Sequence, residues 1–474
     1  MEARLKSLKL EGIKNVGLGK VSMPNSSTTK HASVLGIYGQ NGSGKTAVID
    51  ALKLLQNILI GRTLEKSFAE FIDVNRGKSR ITMELTLHED TIIFDVEYVI
   101  ELKITKEGGV SIVSETISKK NEATDSRKIT FIHYTDTASK YVFTPQKHYE
   151  ELIESYDGCE MDLMVAKKMA EKSNASYIFS EAACEIFISI REKYKNSRYF
   201  DYASIICEVR NFALFDLFVI SDTHSGIISA GLALPMAFRI EEDKRVNAKG
   251  DFAIPLMGPA NLSDEHYEIL NHILEEINTV LYTIIPGLSI KIHPYGKVMM
   301  DNGEEANRFE LVSVRENSRP IPIRMESEGI IKIISILNAL IHAYTNPAVC
   351  LAVDELDAGI FEYMLGELLD IFQKGAKGQL IFTSHNLRAL EMLNVENVVF
   401  STANPEKRYV HMTNIRPTNN FRDAYIRAIT LGGQKESLYT ETDSLKIARA
   451  FRKAGRKMRS SSFNEGKEGC FSCC

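Results

Sequence analysis

Eight consecutive residues constrain this chain more than any other stretch. Gly39–Thr46 reads GQNGSGKT, which fits the pattern G-x-x-x-x-G-K-[ST]. That spacing has a mechanical meaning only between a strand and a helix. Both are expected here. Ser33–Tyr38 (SVLGIY) is a short apolar run, and Ala47–Ile60 carries apolar residues at helical spacing. Gly39, Gln40, Asn41, Gly42, Ser43 and Gly44 would form a loop whose backbone amides turn inward on phosphate oxygens, at the positive end of the following helix. Lys45 would reach the β- and γ-phosphates, and Thr46 would ligate Mg²⁺. The expected cofactors are ATP and Mg²⁺. A ligand-free glycine turn is the plain alternative, and it leaves the strand before and the helix after without a reason.

Two later apolar runs also end in reactive side chains. Ala348–Ile360 (AVCLAVDELDAGI) delivers Asp354 and Glu355 at the end of a strand. Asp354 would hold Mg²⁺ through water, and Glu355 would polarise the attacking water as general base. Ile381–Asn386 (IFTSHN) ends in Ser384 and His385, 30 positions after Glu355 and across one helix. A histidine placed there can contact the γ-phosphate and the base. A buried strand ending in solvated acids is the competing reading of the first run, and it weakens beside a phosphate loop. Ser327-Glu328-Gly329 opens a further helix. It offers a hydroxyl, a residue that permits close approach, and helix-start amides aimed at phosphate. An ordinary helix cap is its plain alternative.

In this order the four motifs resemble the ABC-type ATPase heads of the SMC and RecF kind. MESEG at Met325–Gly329 departs from the full LSGGQ signature. It is similar to the SEG variant of OLD-like ATPases (the "overcoming lysogenization defect" group) and of their relatives in abortive-infection (AbiLi/RloA), Septu, retron and PARIS operons. The resemblance covers roughly 1–145 and 285–415. It implies ATP hydrolysis, and a homodimer or higher even oligomer in which Ser327 and Gly329 of one protomer cap the ATP of the other, with Asp357 facing the partner. It also implies a glutamine near the nucleotide, for which Gln56 and Gln146 are candidates, and a nucleotide contact near Lys14-Asn15. Ser327 lies 281 positions after Thr46, a separation that excludes a transporter ATPase. The biological role implied is the sensor or scaffold subunit of an anti-phage system acting with a separately encoded effector such as a nuclease. The alternative is a RecF-like ATPase acting directly on DNA in repair. A nuclease residing in the insertion ranks last, because no metal-ligand or HNH constellation stands there.

The expected fold is α/β: an ABC-type head with an attached antiparallel sheet and a mainly helical insertion. Head lobe I would span 1–145, the insertion 146–260, lobe II 261–430, and a basic C-terminal helix and tail 431–474. The antiparallel sheet is read from the alternating segments between Arg80 and Phe143, and the insertion from charged helical stretches after Pro145. A net charge of −5 argues against a surface that is all nucleic-acid footprint. Lys446–Arg459 nonetheless holds seven basic and no acidic residues, fit for nucleic acid or an acidic partner, or simply a solvated helix. Seven cysteines, clustered only at Cys470, Cys473 and Cys474, fit a reducing cytoplasm better than a disulfide framework. The tail trio could contribute to a zinc site, although no fourth ligand is near. No membrane span or secretory segment is expected, and the location expected is cytoplasmic.

Overall fold

The computed structural model describes residues 1–461 apart from 90–91, 138–139, 156–157, 243–244, 317, 413–420, 432–433 and 440–442. The fold is mixed α/β. Six strands carry the phosphate loop, in the order Tyr409–Val410, Val398–Ser401, Ser33–Tyr38, Gln379–Ser384, Cys350–Val353 and Leu217–Ile220. Neighbours run parallel except at the edge strand Tyr409–Val410. These strands are continuous apolar runs because both faces of the sheet are covered. Leu35, Ile37, Ala352 and Ile381 enter one core. Val34, Leu351, Val353, Leu380 and Phe382 enter the other. Four parallel strands end at the same edge, which places the phosphate loop, Asp354, His385 and Ser221 side by side.

The first core is shared by the helix Thr46–Leu59 and a second, wholly antiparallel sheet. That sheet runs in the order Val16–Ser22, Glu2–Ile13, Lys78–Glu89, Ile92–Ile104, Val110–Asn121, Ile129–Thr135. Its alternation is plain in Lys78–Glu89, where Ile81 and Met83 are buried between more exposed neighbours, although Thr86 is buried along with Leu85 and Leu87. Four helices complete this core: Gln146–Ile153, Cys159–Ser173, Glu181–Lys193 and Phe200–Asn211. Glu115 fastens the sheet to them. Its fully buried carboxylate accepts from Tyr98 Oη at 2.7 Å, Ser176 Oγ at 2.5 Å and the Tyr177 amide at 2.7 Å, and burial raises its pKa. The second core packs the helices Asp264–Ile284, Glu328–Thr345 and Glu362–Gly375 on the opposite face of the parallel sheet.

Within the stretch 146–260 expected as a mainly helical insertion, helices fill most of 146–211, and after that only Asp222–Ser229 is helical, among strands. Beyond a π turn at Phe212–Asp216, Leu217–Ile220 is the edge strand of the central sheet, and Ala233–Glu242 pairs with Arg245–Pro255 as a hairpin against the helix Glu328–Thr345. A four-residue strand after a helix leaves no periodic trace. In the hairpin, the buried Arg239 forms ion pairs with Asp216 at 2.9 Å and Glu241 at 2.5 Å, and burial pushes the Asp216 carboxyl up to about 6.

Two side chains join the sheets directly. The buried Arg4 guanidinium donates to the carbonyls of Pro347 (2.5 Å), Lys377 (2.8 Å) and His31 (3.3 Å). Where the first strand's register shifts between Leu5 and Ser7, the Gln379 amide takes the place of a backbone partner. It accepts from the Leu5 N–H at 2.6 Å and donates to the Leu5 carbonyl at 2.8 Å. At the other end, the helix Ser444–Ser461 has all its described side chains (444–456) exposed. Cys470, Cys473 and Cys474 lie outside the described residues. Among the described residues no helix is long and apolar enough to cross a membrane, and no group of three or more His, Cys, Asp or Glu side chains could hold a metal alone.

Candidate nucleotide site

The loop between the strand Ser33–Tyr38 and the helix Thr46–Leu59 is fixed from within and from outside. Within, the Gln40 carbonyl accepts from the Ser43 amide at 3.2 Å and from Ser43 Oγ at 2.6 Å. Lys45 is buried, and its ammonium donates to the carbonyls of Gly39 (2.9 Å) and Gln40 (3.1 Å), beneath the concave side of the loop. From outside, Asn15 Nδ2 donates to the Gly42 carbonyl and Tyr409 Oη to the Gly44 carbonyl at 2.6 Å. Ser43 Oγ pairs with Ser401 Oγ, which also donates to the Tyr38 carbonyl at 3.1 Å. Gly44 sits at φ +89°, and an added Cβ would meet Asn15 Oδ1 and Val16 Cγ2 at 3.0 Å. Only glycine suits that conformation and that gap. The carbonyls of Gly39, Gln40, Gly42 and Gly44 are thus all occupied by protein donors.

Beside the loop, Thr46 Oγ1 lies 3.4 Å from Asp354 Oδ1. Thr383 Oγ1 donates to the same Asp354 oxygen at 2.5 Å and accepts from the Glu355 N–H at 2.7 Å. The other Asp354 oxygen, Oδ2, is buried with no hydrogen-bond partner, on a residue only 1% exposed. An orphaned buried carboxylate oxygen next to a threonine hydroxyl is the donor set a hard cation needs, with nucleotide phosphates and water supplying the rest. The residues fit Mg²⁺. Glu355 follows at φ +48° with its side chain exposed. Asp357 Oδ2 accepts from the His385 amide at 3.1 Å. Burial lowers the Lys45 pKa against the pull of Asp354, Glu355 and Asp357. Burial first, and the Lys45 charge second, lower that of His385, which keeps its imidazole neutral near pH 7.

The helix Glu328–Thr345 begins with Ser327 as its cap, Oγ accepting from the Ile330 amide at 3.4 Å, and both Ser327 and Glu328 are exposed. Gly329 is buried. A Cβ there would stand 1.8 Å from the Gly359 carbonyl oxygen of the same chain, and Gly359 itself sits at φ +76°. The close approach read into Gly329 is made to the turn after Asp357, whatever else the helix start meets.

The structure therefore brings Gly39–Thr46, Asp354, Glu355, Asp357 and His385 to one sheet edge. Gln56 and Gln146 lie elsewhere. Gln56 donates to the carbonyls of Leu217 (2.6 Å) and Ala213 (3.2 Å), and the exposed Gln146 to Glu150 on its own helix. Lys14 pairs with Asp50 of the phosphate-loop helix, and Asn15 reaches the loop. Sequence reasoning missed Thr383, Ser401, Tyr409 and Lys332, whose ammonium donates to the Glu355 carbonyl. Thr383 alone left a signal, a hydroxyl within the apolar run IFTSHN.

Residues 34–163 match the family described as "AAA domain, putative AbiEii toxin, Type IV TA system". The phosphate loop Gly39–Thr46 lies within that stretch. Among solved structures, the chain is similar to an Smc head domain from Pyrococcus furiosus, with an extended coiled coil, bound to the C-terminal domain of ScpA. Identity there is 14%, coverage 86% of this chain and 96% of that one, and the TM-score 0.38. An SMC head domain from Thermotoga maritima gives 13% identity, 87% and 100% coverage, and a TM-score of 0.36. The fold assignment above rests on strand order and motif placement, not on these superpositions. Comparison with curated proteins gives no match.

Proposed function

We propose that the chain binds Mg-ATP at Gly39–Thr46, closes head to head on a second copy around two nucleotides, and hydrolyses them to reopen. The observation that carries this reading is the shared edge: beside the loop braced by Lys45, Thr46 and Thr383 both meet Asp354, whose second oxygen is unsatisfied, and an exposed Glu355 follows on the same turn. Thr46 and Asp354 would hold Mg²⁺, whose charge offsets that developing on the phosphate oxygens. Lys45 orients the β- and γ-phosphates. Glu355 polarises the attacking water, and His385, neutral and beside Asp357, contacts the γ-phosphate. Ser327 and the helix start serve the neighbour's nucleotide. Exposed apolar side chains flank them, Met325 at 69%, Phe361 at 66% and Tyr363 at 53%, as an interface would require.

At the cellular level we assign the ATPase to anti-phage defence, as the sensor or scaffold controlling a separate effector such as a nuclease. The SEG motif and the compact helical layer of 146–211 support this. A second reading, direct action on DNA in repair, is favoured by the free basic helix Ser444–Ser461. ATP-dependent duplex binding with a steep salt slope would select it.

The test is Glu355→Gln. The amide keeps size but loses basicity, so phosphate release should fall about 10²- to 10⁴-fold. Mg-ATP binding should persist, and the closed dimer should accumulate in size-exclusion chromatography. Hydrolysis at the parent rate would remove Glu355 from its role.

A further inference from the structure

Glu355 is the only residue of the Asp354–Ile360 turn, glycine apart, at positive φ, and every main-chain polar group flanking its Cα is held. Its N–H donates to Thr383 Oγ1 at 2.7 Å. Its carbonyl accepts twice, from the Ala358 amide at 2.9 Å and from Lys332 Nζ. A bulky residue keeps a left-handed conformation only where its surroundings over-determine it. Lys332 is the unusual member of this clamp. It is 5% exposed, on a helix whose neighbouring positions are Ile330, Ile331, Ile333 and Ile334. Burying an ammonium there is unfavourable unless it is bonded and faces negative charge. It faces Asp357, Glu355 and Asp354, and burial still lowers its pKa.

We infer that Lys332 is a positioning residue for Glu355, tying the peptide that carries the base to the start of the helix opened by Ser327. The Gly329–Gly359 approach is a second joint between the same two segments, so helix start and base turn move as one piece. This rests on the reading of Glu355 as general base. Its consequence is a link between two sites. The helix start that meets a neighbour's nucleotide also holds its own protomer's base, so occupancy of one site is felt by the catalytic residue of the other.

The experiment is a double-mutant cycle on the full chain, with phosphate release and fluorescent-ATP binding measured for the parent, Lys332→Met, Glu355→Gln and the double variant. Methionine keeps the buried stem and removes the donor. With the base misplaced, kcat should fall about 10- to 100-fold, while KM and nucleotide affinity stay within about 2-fold of the parent. In the Glu355→Gln background the same substitution should cost almost nothing further. Lys332→Arg, which restores a donor, should recover part of kcat. Equal fold-losses in both backgrounds, or a raised KM with kcat unchanged, would show a merely structural lysine and overturn the inference. If Glu355→Gln itself leaves the rate unchanged, the general-base reading fails together with this one. A parent-like kcat in Lys332→Met sinks the positioning role alone.

Discussion

The phosphate loop and the helix start at Ser327 are built on opposite plans. The loop is finished: Ser43 and Lys45 bond its carbonyls from within, Asn15, Ser401 and Tyr409 bond it from outside, and Lys45 is 7% exposed. The helix start is unfinished. Ser327 is exposed, its hydroxyl accepts from the Ile330 amide of its own helix, and exposed apolar side chains such as Met325 stand near it in the chain. A preorganised loop costs little to fill. An exposed cap beside an apolar rim gains only from a second surface. Under the proposed function, nucleotide affinity and nucleotide response are therefore separable, because they are assigned to two segments 281 positions apart along the chain.

Three substitutions bear on that separation, in decreasing order of effect. Lys45→Ala should abolish binding by a single copy. At about 1.5–3 kcal/mol for each charge-assisted phosphate contact, affinity measured by calorimetry should drop at least about 100-fold. Unchanged affinity would remove the loop assignment, and the comparison with it. Ser327→Arg should do the reverse. Monomer affinity stays within about 2-fold, since the Ser327 hydroxyl bonds the Ile330 amide and not the loop, while ATP-dependent dimerisation followed by light scattering is lost. A variant that dimerises normally would make the helix start a plain cap. Tyr409→Phe should have the smallest effect. Removing one hydrogen bond to the Gly44 carbonyl should weaken nucleotide binding by about 1 kcal/mol or less and leave dimerisation by the bound form intact. A dimerisation defect at this edge strand would mean that the two regions are not separate.

What could be read in the sequence was what is local. The loop, the Asp354–Glu355 pair, His385 and the Ser327 cap are each a few residues long and follow strands or precede helices that their own periodicity announces. What could not be read depends on partners far along the chain. Thr383 matters because Asp354 and Glu355 flank its hydroxyl, and Tyr409 because Gly44 lies across the sheet from it. Lys332 sits in a helix whose apolar periodicity it interrupts, with no signal of what its charge meets. Gly329 was legible as a close approach and illegible as to what approaches, namely Gly359. The strand Leu217–Ile220 was invisible because four residues after a π turn carry no period, and its neighbour Cys350–Val353 defines it.

The strand that precedes the phosphate loop has consequences for how a cell makes this protein. Ser33–Tyr38 is hydrogen-bonded on one side to Gln379–Ser384 and on the other to Val398–Ser401, and Leu5 waits for the Gln379 side chain 374 positions away. During synthesis, at about 5–20 residues per second, the glycine loop leaves the ribosome tens of seconds before either neighbour exists. For that interval both edges of an apolar strand stand open, the condition that favours mispairing with other chains. Nucleotide can stabilise only what has already been assembled, so ATP cannot template this loop early. A nascent chain stalled before residue 379 should therefore hold no ATP and should lean on chaperones, and one released after residue 410 should acquire both edges and the ligand in a single late step.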